Sequence, residues 1–279
     1  MTYKDYLLLA KKINKKNEQI NKIILLQFIN KDLSWLYANL NQTVTTNFLP
    51  LYLKTIKKIV AGYPWQYIVG YQWFLDRKFI VNNRVLIPRS ETEELVKNVF
   101  VYAQNIFNND DLTVLDLGTG SGVIAISLAL KKSNWDVIAS DISNNALNIA
   151  KINNDHFNLH NIKFIESDIF NNLKDYKFNI IVANPPYIDK TANNFLIDNL
   201  QYEPELALFA ANKGLYFYQQ IFQQCHLVLK QSFLLAFEFG FHQKAALNDL
   251  IKKYLPQCNY QFVKDINNKW RMLFIWHAL

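Results

Sequence analysis

The chain has 279 residues, 51% of them hydrophobic, and a formal net charge of +7, which excludes wholesale disorder and allows one large α/β domain plus a small companion. No apolar run reaches the length of a membrane span, and the segment 1–16 has only the short run 7–10 before it turns basic, the wrong order for a secretory signal, so no membrane association and a cytoplasmic location are expected. The lysines are spread along the chain instead of forming one block, so the basic charge identifies no partner.

From residue 3 to about 61 apolar residues recur at intervals of three and four, as in Leu49, Tyr52, Leu53, Ile56 and Val60. This is the helical period, and it predicts a small helical domain, assigned to residues 1–70. Asn47 ahead of Phe48, with Pro50 in the first turn, reads as a helix start; Gly62 followed by Pro64 reads as its stop. The short runs 73–75 and 79–81 flank Asp76 and Arg77 and predict a β-hairpin within a linker, assigned to 71–89. Beyond Ser90 the pattern changes. Continuous apolar runs at 112–117, 137–140, 162–166, 178–183 and 233–239 alternate with helical segments, as buried parallel strands do. An open, doubly wound α/β sheet is therefore expected over 90–279, with binding residues where the strands end. Cys225 and Cys258 lie outside any Cys-x-x-Cys pairing and are read as structural. His156 and His160 form a helical pair without a third ligand nearby in sequence, so no metal site is expected.

The segment Val114-Leu115-Asp116-Leu117-Gly118-Thr119-Gly120-Ser121-Gly122 places a glycine-rich turn between a strand and the helical run 123–130. Glycine serves there because the chain turns tightly and a ligand approaches bare backbone. A dinucleotide fingerprint wants a small residue where Val123 stands, and Gly122 falls one position earlier. The spacing resembles motif I of the class I methyltransferases, which implies S-adenosylmethionine as cofactor. Asp141, at the end of the next strand, is suited to accept from both ribose hydroxyls. Asp168 follows the third strand and can accept from the adenine amino group, with Ile169 and Phe170 available to cover the ring. Taken singly, each acid is as readily a helix cap or a solvated loop residue.

The fourth strand runs into Asn184-Pro185-Pro186-Tyr187. Asn before Pro is an ordinary turn initiator, so a merely rigid loop is the plain reading. Chemistry gives another. Two prolines fix the backbone and remove two donors, leaving carbonyl oxygens and the Asn184 amide oxygen as acceptors for the two hydrogens of a target NH2 group. An amide or aromatic amine nitrogen is a poor nucleophile because its lone pair is delocalised. Held in line with a sulfonium methyl it gains up to roughly 7 to 11 kcal/mol from positioning, and Tyr187 is placed to pack on the planar group.

Asn-Pro-Pro-Tyr occurs in methyltransferases acting on exocyclic amines of nucleic-acid bases as well as on glutamine. Other segments narrow the choice: 64–70 (PWQYIVG), 86–93 (LIPRSETE), Tyr202-Glu203-Pro204 with Ala207-Leu208, and Glu238-Phe239-Gly240 with Gln243. Together with the two motifs they resemble the release factor glutamine methyltransferase family from about Pro64 onward. Ser90 stands where that family usually has a second proline, which is expected to loosen one turn. Asn267-Asn268 replace a glycine before Arg271, at the connection to the final strand. The resemblance implies a helical substrate-recognition domain, a hairpin linker and a mostly parallel seven-stranded methyltransferase sheet whose last strand is antiparallel. It implies methylation of the side-chain amide nitrogen (N5) of the glutamine in the Gly-Gly-Gln loop of class one peptide chain release factors, and so a role in translation termination. Gly118, Thr119, Gly120, Ser121, Gly122, Asp141, Asp168, Ile169 and Asn184 are then expected at the cofactor. Asn184, Pro185, Pro186 and Tyr187 are expected to be catalytic, and these four with Arg89 to bind substrate. An RNA or DNA exocyclic-amine methyltransferase is the alternative, though the chain carries no recognisable nucleic-acid module and no stable nucleic-acid binding is expected. A cofactor-binding protein without catalysis is the rival from another class, and the intact 184–187 segment speaks against it.

Overall fold

Local signals build the amino-terminal helices. In the computed structural model, which describes residues 1–107, 111–191 and 200–278, helix α1 (Tyr3–Ile13) opens on a capping box: Thr2 accepts from the Asp5 amide, and the Asp5 carboxylate accepts from the Thr2 amide. Helices α2 (Glu18–Ile29), α3 (Leu33–Ala38), α4 (Leu49–Val60) and α5 (Trp65–Val69) follow. Tyr6, Ile24, Leu25, Tyr52 and Ile56 form their core. Helix α4 begins differently from expectation: Phe48, not Asn47, occupies the cap and makes no side-chain capping bond. Pro50 in the first turn leaves fewer amides to cap, and Phe48 is fixed by packing, stacked on Phe28 at 5.4 Å and edge-on to Tyr6 at 5.1 Å. The described residues divide into two compact units, 1–71 with 200–202, and 72–107, 111–191 and 203–278.

Strands β1 (Tyr71–Phe74) and β2 (Arg77–Ile80) form the expected hairpin. Its turn residues are Leu75 (φ 48°) and Asp76 (φ 59°), one position earlier than the Asp76-Arg77 pair read from the sequence. A two-residue hairpin turn of this hand needs positive φ at both centres. Leucine does not favour it, but the Leu75 amide donates to Glu93 at 3.0 Å and its side chain packs on the core.

The large sheet is built around central runs that are apolar on both faces. It contains β3 (Thr113–Leu117), β4 (Asp136–Asp141), β5 (Ile162–Glu166), β6 (Phe178–Ala183), β9 (Leu229–Glu238), β10 (Asn259–Lys264) and β11 (Trp270–His277), in the order β10-β11-β9-β6-β3-β4-β5. Only β11 runs antiparallel to its neighbours. Successive residues of β3 and β6 alternate between two cores: Val114, Ile180 and Val182 face one, Leu115, Ile181 and Ala183 the other. Helices α6 (Ser90–Phe107) and α7 (Val123–Lys131) contribute to the first core, and α11 (Tyr216–Gln224) and α12 (Lys244–Tyr254) to the second. Helix α8 (Asn144–His156) packs on β4 and β5. A separate two-residue parallel pair joins β7 (Ile188–Asp189) to β8 (Phe209–Ala210), with short helical turns α9 (Glu205–Leu208) and α10 (Ala211–Gly214) on either side of β8.

Both departures from the family pattern are accommodated. Ser90 is the first residue of α6, its hydroxyl donating to Glu91 at 3.0 Å. Asn268 takes the left-handed conformation (φ 60°) that a glycine would supply, and its amide donates to the Asp265 carbonyl at 2.8 Å. Strand β9 starts four residues before the expected 233, because Lys230 and Gln231 are exposed at its beginning and break the apolar signal. Among the described residues no helix is long and apolar enough to cross a membrane.

Candidate active site

Strand order reverses at β3: the chain moves outward through β4 and β5, then returns to place β6 on the other side. In open α/β sheets, ligands sit beyond the carboxyl ends of the strands at such a switch. Here Leu117 and Ala183 are register partners. The glycine loop and the Asn-Pro-Pro-Tyr segment, far apart in sequence, therefore leave the sheet side by side.

They open onto a cavity of about 910 Å³, counting the space at its mouth, lined in part by Gly118, Gly120, Asp141, Asp168, Ile169, Asn184, Pro185 and Pro186. Gly118 (φ 78°) and Gly120 (φ 56°) hold conformations that side chains resist, and a Cβ on either would meet nothing within 4 Å. Their bare backbone is thus a floor on which a ligand can rest. Gly122 (φ 85°) has another task, since a Cβ there would lie 3.0 Å from Ile126 and 3.1 Å from Ala150. It permits close packing of α7 against α8. Thr119 and Ser121 are buried and lie off the cavity wall; the Thr119 hydroxyl donates to Asp116 at 2.6 Å.

Asp116 is fully buried and also accepts from the Ala125 amide at 2.9 Å, so it braces the loop against α7. Its second oxygen has no partner among the described residues, and burial pushes this carboxyl up to about 7. Asp141 accepts from the amides of Gly120 and Ser143, each at 2.9 Å, and burial raises it as well. Those two bonds fix the carboxylate at the cavity edge with acceptor capacity to spare. Asp168 is exposed on the wall beside Ile169, whose φ is 48°. Phe170 is not available to cover a ligand, being wholly buried in the second core.

On the opposite wall, Asn184 donates its amide Nδ2 to the Thr92 hydroxyl at 3.1 Å, which leaves Oδ1 free to accept. Thr92 in turn donates to Glu238 at 2.6 Å, and the Tyr187 hydroxyl donates to the other oxygen of Glu238 at 3.2 Å. Burial, then the neighbouring Glu238 carboxylate, push the Tyr187 hydroxyl above its ordinary range, so it remains a donor. Burial also raises Glu238, against the bond from Thr92 and the field of Arg271. Gln243 ties the segment down, donating to the carbonyls of Tyr187 and Lys213 at 3.1 Å each and accepting from the Gly240 amide at 2.9 Å. Gly214 is required at this crossing: a Cβ would fall 2.0 Å from the Tyr187 carbonyl. Arg89 lies off the cavity wall, paired with Glu203 at 2.5 Å while Glu203 also accepts from the Ile87 amide at 3.0 Å. That pair anchors the chain ahead of Pro204, which does line the cavity. Leu206, Phe217 and Ile142 also line the wall; no sequence motif marks them, only their place in the fold.

The sequence matches two family models, a methyltransferase small domain over residues 95–236 and a PrmC N-terminal domain over residues 7–70. A release factor glutamine methyltransferase of Mycoplasma mycoides subsp. mycoides is 37% identical over 95% of this chain and 95% of its own. One from Lactococcus lactis is 42% identical over 87% of this chain and 88% of its own. Among solved structures, a methyltransferase from Pyrococcus furiosus shares the fold with a TM-score of 0.53 at 14% identity, covering 81% of this chain and 99% of that one.

Proposed function

The chain belongs to the release factor glutamine methyltransferase family, and from that premise we propose that its cavity transfers a methyl group from S-adenosylmethionine to N5 of the glutamine in the Gly-Gly-Gln loop of class one peptide chain release factors. The observation that carries this reading is the juxtaposition at the switch point of a bare glycine floor and an acceptor wall with the Asn184 amide oxygen unpaired by Thr92. The donor set suits the cofactor: open backbone at Gly118 and Gly120, a fixed carboxylate at Asp141 for the ribose hydroxyls, and Asp168 with Ile169 for the adenine. Thr119, Ser121 and Gly122 serve it indirectly by shaping the loop.

Gly118, Gly120, Asp141, Asp168 and Ile169 would hold S-adenosylmethionine, which would supply an electrophilic methyl to the amide nitrogen and leave as S-adenosylhomocysteine, the nitrogen's proton passing to water. The residues of this chain provide position. Asn184 Oδ1 and the Pro185 carbonyl accept the two hydrogens of the target amide, orienting the nitrogen lone pair. Pro185 and Pro186 offer no competing N–H and hold the wall rigid. Tyr187, packed against the second core, and Arg89, whose charge acts on Tyr187, both lie off the cavity wall; we assign them to the substrate side, Tyr187 to pack on the amide plane. Glutamine occurs in nearly every protein, so selectivity needs contacts beyond the pocket; we assign these to the helical unit, residues 1–70. A substrate that acts in translation termination places the reaction in the cytoplasm.

The test is partition of labelled methyl among purified release factor, RNA and DNA, each offered to the full chain. Label is expected in the release factor. Label in RNA or DNA would replace this reading with the exocyclic-amine alternative.

A further inference from the structure

Asn184 can serve a target NH2 group only with its amide oxygen facing the cavity, and the shape of a side-chain amide does not enforce that choice. Its surroundings do. Glu238, the last residue of β9, is 1% exposed and accepts from two hydroxyls, Thr92 at 2.6 Å and Tyr187 at 3.2 Å. Thr92, in the first turn of α6, is 3% exposed. Its hydroxyl has one hydrogen, and the short bond to a carboxylate commits that hydrogen. Only lone pairs remain for the amide at 3.1 Å, so Asn184 must turn Nδ2 toward Thr92 and Oδ1 away from it.

We infer that Thr92 and Glu238 are positioning residues that set the polarity of the Asn184 amide, through a one-way chain of hydrogen bonds running from Asn184 through Thr92 to the carboxylate. The inference rests on the reading of Asn184 as acceptor for the target amide. An inverted Asn184 would set two donor hydrogens against the donor hydrogens of the substrate, and the reactive geometry would be lost. Tyr187 completes the device, because its bond to the same carboxylate ties the far end of the segment to the same fixed point. The field of Arg271 favours the charged form of Glu238, and Arg271 is itself held by Asp265 at 3.3 Å and by the Phe239 carbonyl at 3.2 Å.

The experiment compares the full chain with Thr92→Val, Thr92→Ser, Asn184→Ala and the double variant Thr92→Val/Asn184→Ala. Turnover and KM on intact release factor, S-adenosylhomocysteine affinity and melting temperature are measured for each. Thr92→Val, which keeps shape and removes the hydroxyl, is expected to lower kcat roughly 10- to 100-fold with KM and cofactor affinity little changed. Thr92→Ser restores the hydroxyl and is expected to stay within about threefold of wild type, and the double variant to be no slower than Asn184→Ala alone. Wild-type turnover in Thr92→Val, a Thr92→Ser as slow as Thr92→Val, or additive losses in the double variant overturn the inference while leaving the functional reading intact. Wild-type turnover in Asn184→Ala overturns the functional reading itself. Should Thr92→Val fail to fold, the serine variant decides: loss of turnover there, with melting unchanged, contradicts the relay.

Discussion

The two walls of the cavity are built in opposite ways. The floor is made of backbone within one short segment, 116–122, and its chief braces, Thr119 to Asp116 and Ala125 to Asp116, span three and nine residues. The acceptor wall is held by side chains: Asn184 reaches Thr92 across 92 residues, and Thr92 reaches Glu238 across 146. A backbone cradle must be written locally, as glycines where φ is positive, whereas a side-chain relay can be assembled from anywhere the fold brings together. The comparison separates cofactor binding from reactive positioning, and four substitutions test the separation.

The largest effect is expected from Asn184→Ala. Steady-state kinetics should show turnover falling about 10³-fold, roughly 4 kcal/mol of transition-state stabilisation, while calorimetry shows S-adenosylhomocysteine bound with near wild-type affinity. Comparable losses in both would mean the walls are not separable.

Next is a pH effect on stability from Asp116. Its carboxyl is raised to about 7 in the folded chain against 3.8 for the free group, so the folded state holds a proton the unfolded state releases. Stability from this group is therefore present in acid and declines as pH rises from about 4 through about 7, by at most about 4 kcal/mol at 1.36 kcal/mol per unit. Asp116→Asn keeps an oxygen for Thr119 and Ala125 but removes the titration. Urea unfolding at pH 5 and pH 8 should show a smaller drop in the variant than in the wild type, and equal drops would acquit Asp116.

Asp141→Ala should weaken S-adenosylhomocysteine about 30-fold, roughly 2 kcal/mol, through loss of hydrogen bonds to a charged acceptor, with the KM for release factor held. Unchanged calorimetric affinity in a folded variant removes Asp141 from the site. The smallest effect is expected from Gly122→Ala, about 1 to 2 kcal/mol of stability from a strained φ and a crowded α7–α8 contact. Cofactor affinity should follow only insofar as the loop shifts; a loss of affinity without a lower melting temperature would move Gly122 from packing to direct contact.

What the sequence shows and what it hides follow the same division. Strands β3, β4 and β6 are legible because both faces are largely buried, so their runs are mainly apolar, while the edge strand β5 shows only Ile162, Phe164 and Ile165 between the exposed Lys163 and Glu166; Gly118, Gly120, Asp141 and Asn184 stand at the ends of β3, β4 and β6 or within three residues of them. The start of β9 escapes because polar Lys230, Gln231 and Ser232, the first two exposed, follow its first residue. The turn at Leu75 and Asp76 is misplaced by one residue because leucine at positive φ contradicts local preference and is held by Glu93 from another element. Thr92 and Glu238 stand inside segments that resemble the family, yet nothing local marks their task. Only packing of α6 against β9 brings their side chains to 2.6 Å. Phe170 errs the other way, an aromatic next to a site that the core claims first.

The most direct test of the account is to locate the methyl group. Intact release factor incubated with S-adenosylmethionine and the full chain, then digested and sequenced by mass spectrometry, should carry one added methyl on the glutamine of its Gly-Gly-Gln loop. It should carry none after that glutamine is replaced by alanine, and almost none when Asn184→Ala is the enzyme. A methyl group on any other residue, or an unmodified loop glutamine beside wild-type enzyme that consumes the cofactor, would contradict it.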